Sequence, residues 1–480
     1  LSLEQYEKLR DHPNLRQVTL HSTKRVYRPI PEQHEWFHVI NELGRLTGLQ
    51  YLRINAPLQI LSTCWLLRLL ERMPQMQEVS LELKQLRTDE VWDQEFPGHR
   101  LRRFSLTTLQ HHDETITRWV ESMTRLEALN MRGQCFTFKQ TLNMLSNKST
   151  LTELDISIDP REGNNDPFRK EIMYSLPEMC PSLGVLTLNQ VIHKMKGPSW
   201  QGNELLFRSL VQLTGLTNLD IEYCGSDLSH IWNECFTAMP FLDKLRISWD
   251  SCHYDLEPLL ALQHLSAVTD DLTTLGRSLA SIPELLSLQV ISTMPKDLNW
   301  AEFWEKMSII PNLRYLCVPT PQDPQYQRGK PVKECEVTPH LSHLTQLTFL
   351  ALPLLRLSDK GADLAVALRG MTQLTWLQLP WIDNLNPKPL IKMFTEHPSL
   401  TYLDTVGSVC PPLETPNLQI HHSETQYHCW KQSYLRSVTL EQIVATHYKA
   451  HQGIYFPYTP IDPWQTYALK HKDDVLYGDG

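Results

Sequence analysis

The side chains able to do chemistry are few, and their spacing does not suit it. Four lie close together near the C-terminus: His421, His422, His428 and Cys429. These types hold zinc when paired spacings such as Cys-x-x-Cys or His-x-x-x-His converge on one centre. Neither pair is complete here, so the group reads as a polar loop ahead of a helix. His111 and His112 read as a solvated helix entry. A second set is acidic: Glu153, Asp155, Asp220 and Glu222. Paired carboxylates divide acid and base roles when they share one site. These lie two repeats apart, about 10 Å at one strand spacing of ~4.8 Å, and read as a solvated acidic face. No phosphate-loop, nucleophile-elbow or zinc-protease motif is present. Only 18 glycines stand against 32 prolines, which leaves little material for phosphate-cradling loops. The expectation is a chain with no catalytic residues, no metal and no cofactor, and so not an enzyme.

Charge narrows the partners. With 45 basic and 54 acidic residues the net charge is −9. Nucleic acid and anionic membrane surfaces both need a basic footprint, so neither is expected as a partner. No run of 18 apolar residues occurs, which argues against a spanning helix. The ten cysteines form no Cys-x-x-Cys pair and read as reduced thiols of a cytoplasmic or nuclear protein. No signal peptide is legible at Leu1, and one glycosylation sequon, at Asn147, is close to chance.

The positioning elements come from a repeat. The pattern L-x-x-L-x-L first appears at Leu15, Val18 and Leu20, then at Leu49, Leu52 and Ile54. It recurs through Leu101, Phe104 and Leu106, through Leu219 and Ile221, and through Leu374, Leu377 and Leu379. Fourteen copies run from Leu15 to Leu400, with a mean step of about 30 residues. The 43-residue step from Leu242 to Leu285 has room for a degenerate copy at Leu262, Leu265 and Ala267. Before each copy lies an amphipathic helical stretch and then a Pro, Thr or Ser, as in Trp65–Leu70 before Pro74 or Phe303–Met307 before Pro311. Proline ends a helix and pushes its predecessor toward extended geometry. Each unit therefore reads helix, stop, short strand, loop.

This pattern resembles the leucine-rich repeat family, over roughly residues 1–406. The long helical half resembles the ribonuclease-inhibitor-like branch, which includes the repeat regions of F-box proteins. The resemblance implies an α/β solenoid, a horseshoe with parallel strands on its concave face and helices on its convex face. The family's usual Asn or Cys three residues past the third leucine is found in one copy, as Cys224, so a detailed turn geometry does not transfer. Residues 407–480 break the pattern but are rich in aromatics, from Tyr427 and Trp430 to Trp464 and Tyr467. They are expected to form a cap folded onto the last repeats, ending in a loose tail.

Alternation along a strand sends the residues flanking the second leucine away from the core. Four consecutive copies place an aromatic just before it: Tyr315, Phe349, Trp376 and Tyr402. The residues just after are mostly small, as in Cys317 and Ala351. In register, the four rings form a ladder with ~5 Å steps. Such a strip binds a partner, or else the C-terminal segment folds back over it. A second patch is charged and holds Asp155, Asp220, Glu222 and Arg246, a mixture that suits specificity.

The expected function is recognition of a protein partner on the concave face. The F-box-type resemblance implies a narrower role, as substrate receptor of a cullin-type ubiquitin ligase. Residues 1–12 already read as the helix of a first repeat and no F-box is legible, so an F-box gripping an adaptor either lies upstream of Leu1 or is absent. The alternative is a repeat-protein regulator of an enzyme, of the GTPase-activating or inhibitor type.

Overall fold

The computed structural model describes residues 15–21, 43–87, 100–108, 114–158, 175–189, 208–221, 229–249, 254–269, 271–292, 300–321, 334–335, 338–352, 356–357, 362–379, 387–406 and 419–423. It divides into two compact units, Leu1–Leu216 and Thr217–Gly480.

The first unit carries seven strands: β1 (Gln17–His21), β2 (Tyr51–Ser62), β3 (Glu78–Arg87), β4 (Arg103–Thr108), β5 (Ala128–Phe136), β6 (Glu153–Ile158) and β7 (Val185–Asn189). Each pairs in parallel with the next in chain order. Helices α1 (Thr63–Arg72), α2 (Glu114–Ser122) and α3 (Phe138–Leu145) fall between them. Helix α3 opens on a capping box: Gln140 N–H donates to the Thr137 hydroxyl at 3.0 Å and Thr137 N–H to the Gln140 side chain at 2.9 Å.

The second unit repeats the scheme. Its first strands are β8 (Asn218–Ile221), β9 (Lys244–Trp249), β10 (His264–Thr269), β11 (Ser287–Ser292) and β12 (Tyr315–Pro321). A short side pair joins β13 (Glu334–Cys335) to β15 (Arg356–Leu357). The main sheet continues through β14 (Phe349–Ala351), β16 (Trp376–Leu379), β17 (Tyr402–Val406) and β18 (Gln419–Ser423). All of its pairings are parallel. The degenerate copy at Leu262 is real: its strand β10 sits between β9 and β11.

The repeat leucines supply the core. Leu52 with Ile54, Val79 with Leu81, and Leu245 with Ile247 are buried on one side of their strands. A buried leucine side chain contributes about 2 kcal/mol, so every copy adds a comparable increment. Helices present apolar faces to the same layer, with Leu66, Leu67, Leu69 and Leu70 buried on α1.

One backbone device recurs at most strand entries of the main sheet. A single carbonyl accepts two N–H groups from the following repeat. Gln50 and Tyr51 donate to the Arg16 carbonyl, each at 2.9 Å, and Thr375 and Trp376 donate to the Thr348 carbonyl at 2.9 and 3.1 Å. This double acceptance satisfies the N–H groups that the tight turn before the strand leaves over, and it locks neighbouring repeats into one register. One strand per repeat, parallel order and an inward leucine layer make this fold a leucine-rich repeat solenoid.

Candidate functional site

The four aromatics stand where the spacing placed them. Tyr315 pairs with Phe349, Phe349 with Trp376, and Trp376 with Tyr402 in strand register. The Phe349 and Trp376 rings stack at 4.1 Å with planes 9° apart, and Trp376 and Tyr402 at 5.2 Å and 5°. Tyr315 tilts against Phe349 at 6.4 Å and 49°. The ladder therefore exists as a continuous stack on the sheet side opposite the leucine layer. A row of small side chains runs beside it, with Cys317 next to Ala351 and Ala351 next to Gln378.

The ladder is closed rather than open. Phe349 is 2% exposed, Trp376 9% and Tyr402 7%, while Tyr315 is half-buried. Burial pushes the Cys317 thiol up to about 12, so it stays a thiol at neutral pH.

Threonines set the register of these strands. The Thr375 hydroxyl donates to the Thr348 carbonyl at 3.0 Å, and the Thr401 hydroxyl to the Thr375 carbonyl at 3.1 Å. The Thr348 hydroxyl reaches the Arg314 carbonyl at 3.2 Å. Each adds a third donor to a carbonyl that already takes two N–H groups. The sequence carries this signal, since a threonine directly precedes Phe349, Trp376 and Tyr402. His397 holds the turn into β17. Ser399 and Leu400 N–H point at its Nδ1 at 3.4 and 3.2 Å, and its Nε2 lies 3.3 Å from the Leu368 carbonyl. Two donors aimed at Nδ1 require a neutral ring with the proton on Nε2. Burial pulls the His397 pKa below its ordinary value, which the bond to the Leu368 carbonyl partly offsets.

Of the charged candidates, Asp220 and Arg246 are brought together within one unit. Asp155 is buried on β6 of the first unit, between Asn130 and Thr187 in register. Asp220 and Arg246 belong to the second unit, where they face each other across β8 and β9 at 3.7 Å, both largely buried. Glu222 lies outside the described residues. An additional pair, Arg103 with Glu153 at 2.9 Å, bridges β4 and β6 over Ala128 and remains well exposed.

His421 and His422 lie in strand β18, paired with Asp404 and Thr405, rather than in a loop. His428 and Cys429 lie outside the described residues. Among the described residues no three His, Cys, Asp or Glu side chains are grouped so as to hold a metal ion. No helix among them is long and apolar enough to cross a membrane.

No family model matches the chain, and no curated protein does. Among solved structures it is similar to an internalin from Listeria monocytogenes, at 18% identity, covering 64% of this chain and 78% of that one with a TM-score of 0.33. It is also similar to a leucine-rich repeat protein from Leptospira interrogans, at 15% identity, covering 86% and 98% with a TM-score of 0.37. The assignment of fold stands on this chain's own strand register.

Proposed function

We propose that the chain is a non-enzymatic recognition module that binds a protein partner on the sheet face opposite the leucine layer. The observation that carries the reading is the in-register stack of Tyr315, Phe349, Trp376 and Tyr402. Aromatic rings held rigidly by a scaffold lose little conformational entropy on binding, and such anchors dominate interface energies. The neighbouring side chains Cys317 and Ala351 are small and pack against the rings in the same cluster. In the same unit the paired Asp220 and Arg246 on β8 and β9 add a polar feature along that face, suited to selecting a partner rather than gripping it.

A photo-reactive benzoylphenylalanine at position 315, the half-buried end of the ladder, tests this reading. Irradiation in cells is expected to join the chain to a second protein. Irradiation that never yields a two-chain product contradicts it.

The narrower role, as substrate receptor of a cullin-type ubiquitin ligase, rests on the resemblance to F-box-type repeats. Its test is co-purification of an F-box adaptor with the native protein. The ribonuclease-inhibitor-like branch rests on the same resemblance.

A further inference from the structure

We propose that the polar strands beside the aromatic ladder bind an acidic side chain of the partner, so that the recognised segment carries Asp or Glu three residues from the apolar side chain that meets Tyr315. This rests on the reading of the ladder as the recognition face. The two rows of that face run on past Tyr315 without a break. Strand pairing aligns Tyr315 with Ser287, His264 and Lys244 on one row, and Cys317 with Gln289, Ser266 and Arg246 on the other. Over three strands, rings give way to side chains that donate hydrogen bonds. Among the described residues Lys244 has no ion pair and no side-chain hydrogen bond, and its register neighbours Asn218 and His264 offer no carboxylate. Arg246 gives one arm to Asp220 at 3.7 Å, and its Nε has no hydrogen-bond partner. The Ser266 hydroxyl donates to Gln289 Oε1 at 3.4 Å, which occupies the amide's acceptor and leaves Nε2 as a donor.

Donors without acceptors call for an anion. The charges on these rows from β8 to β11 say how much of one. Lys244 and Arg246 against Asp220 leave an excess of one positive charge. A single carboxylate cancels it. A phosphate monoester carries close to two negative charges at neutral pH and leaves net negative charge in a half-buried position, which loses hydration without compensation. The carboxylate sits over Ser266 on β10, with Lys244 and Arg246 one strand to one side and Gln289 one strand to the other. Lys244, Arg246, Ser266 and Tyr315 are half-buried rather than closed, so partner atoms can reach both the cations and the ring. Tyr315 lies two strand steps from β10, about 10 Å, which three residues of extended chain span. The chain as a whole carries −9 and gives acidic segments no general attraction, so their capture depends on these donors.

Selection of peptides from a random display library on the folded full chain tests this. Enriched peptides are expected to hold Asp or Glu three residues from an aromatic or large aliphatic residue. A synthetic copy of an enriched peptide is expected to bind about tenfold more weakly when its acidic residue becomes Gln, and more weakly again when that residue becomes phosphoserine. Lys244 has no partner to lose in the fold, so Lys244→Glu serves as the variant, with folding checked by circular dichroism. Selection on it is expected to keep the apolar position and lose the acidic one. Enriched peptides without an acidic preference, or with one that Lys244→Glu leaves unchanged, overturn the proposal. Tighter binding of the phosphoserine peptide overturns the choice of a carboxylate. Tyr315→Ala separates the two readings. Peptides that carry no acidic preference but are lost on Tyr315→Ala remove this proposal alone, and a selection that Tyr315→Ala does not alter contradicts the recognition reading as well.

Discussion

Trp376 and Tyr402 stack one strand apart with centroids 5.2 Å from each other and planes 5° from parallel. A separation near the strand spacing means that neither ring leans away to find a partner; the backbone register makes the stack. Sequence period, strand pairing and ring stacking are thus one chain of cause. The repeat puts an aromatic at one offset, the sheet aligns the offsets, and the rings touch.

That stack also stabilises the fold. Truncating Trp376 to Ala is expected to cost about 3–5 kcal/mol, because the ring is packed on both faces. Tyr315→Ala, at the half-buried end, is expected to cost less than about 2 kcal/mol. A double-mutant cycle on Trp376 and Tyr402 should show a coupling of about 0.5–1.5 kcal/mol. Urea denaturation of the unaltered chain, the three single variants and the double variant measures all three quantities. Equal costs for Trp376 and Tyr315 would contradict the packing described.

The two ion pairs rank in the reverse order of their lengths. Arg103 and Glu153 approach to 2.9 Å but are exposed, so Arg103→Ala is expected to change stability by less than about 1 kcal/mol, an effect that salt screens. Arg246 and Asp220 are 3.7 Å apart and largely buried. Arg246→Ala leaves a buried carboxylate without its cation, which is expected to cost about 3 kcal/mol and to respond little to salt. Thermal unfolding at low and high ionic strength separates the two cases.

Acid should loosen the last repeats. His397 is held neutral by burial, below its ordinary value of 6.5. Between its folded pKa and 6.5 the unfolded chain binds more protons than the folded one, so stability falls as pH drops below 6.5. His397→Gln removes that component and should flatten the decline between neutral pH and pH 5. Unfolding temperatures of both proteins across that range test it. Parallel declines would remove His397 from the account.

The thiols give a prediction in the alkaline range. Burial raises Cys180, Cys235 and Cys317 from 9.0 to about 12. Each stabilising contribution is complete below pH 9 and is lost as pH rises through about 12. Stability should therefore fall above pH 9, less so in Cys235→Ala after correction for its lower baseline. Alkylation at pH 8 should reach half-buried Cys64 well before these three.

Much of the fold was legible in the sequence, because a repeat multiplies a weak signal. The degenerate copy at Leu262, Leu265 and Ala267 shows this: the gap between its neighbours demanded a strand, and β10 fills it. The aromatic register was legible for the same reason. Strand β18 was not. Its residues Ile420 and His422 pair in register with Leu403 and Thr405 of β17, so the leucine pattern of the sequence fades over two copies in succession. Among the charged positions, the pairing of Asp220 with Arg246 follows from their offsets in neighbouring repeats, which the strand register aligns. The closure of the ladder is not legible in the sequence, because burial of a ring edge depends on tertiary packing that no local pattern records.

The most direct test of the recognition reading is affinity capture with three full-length proteins side by side, each shown to be folded by circular dichroism. One is unaltered. One carries Trp376→Leu and Tyr402→Leu, which keep apolar volume but remove the stack. The third carries Phe241→Ser and Leu260→Ser, which remove exposed apolar residues away from the ladder rows. The account predicts a partner retained by the first and third proteins and lost from the second. A partner held equally by all three would show that the ladder is internal packing and that recognition lies elsewhere.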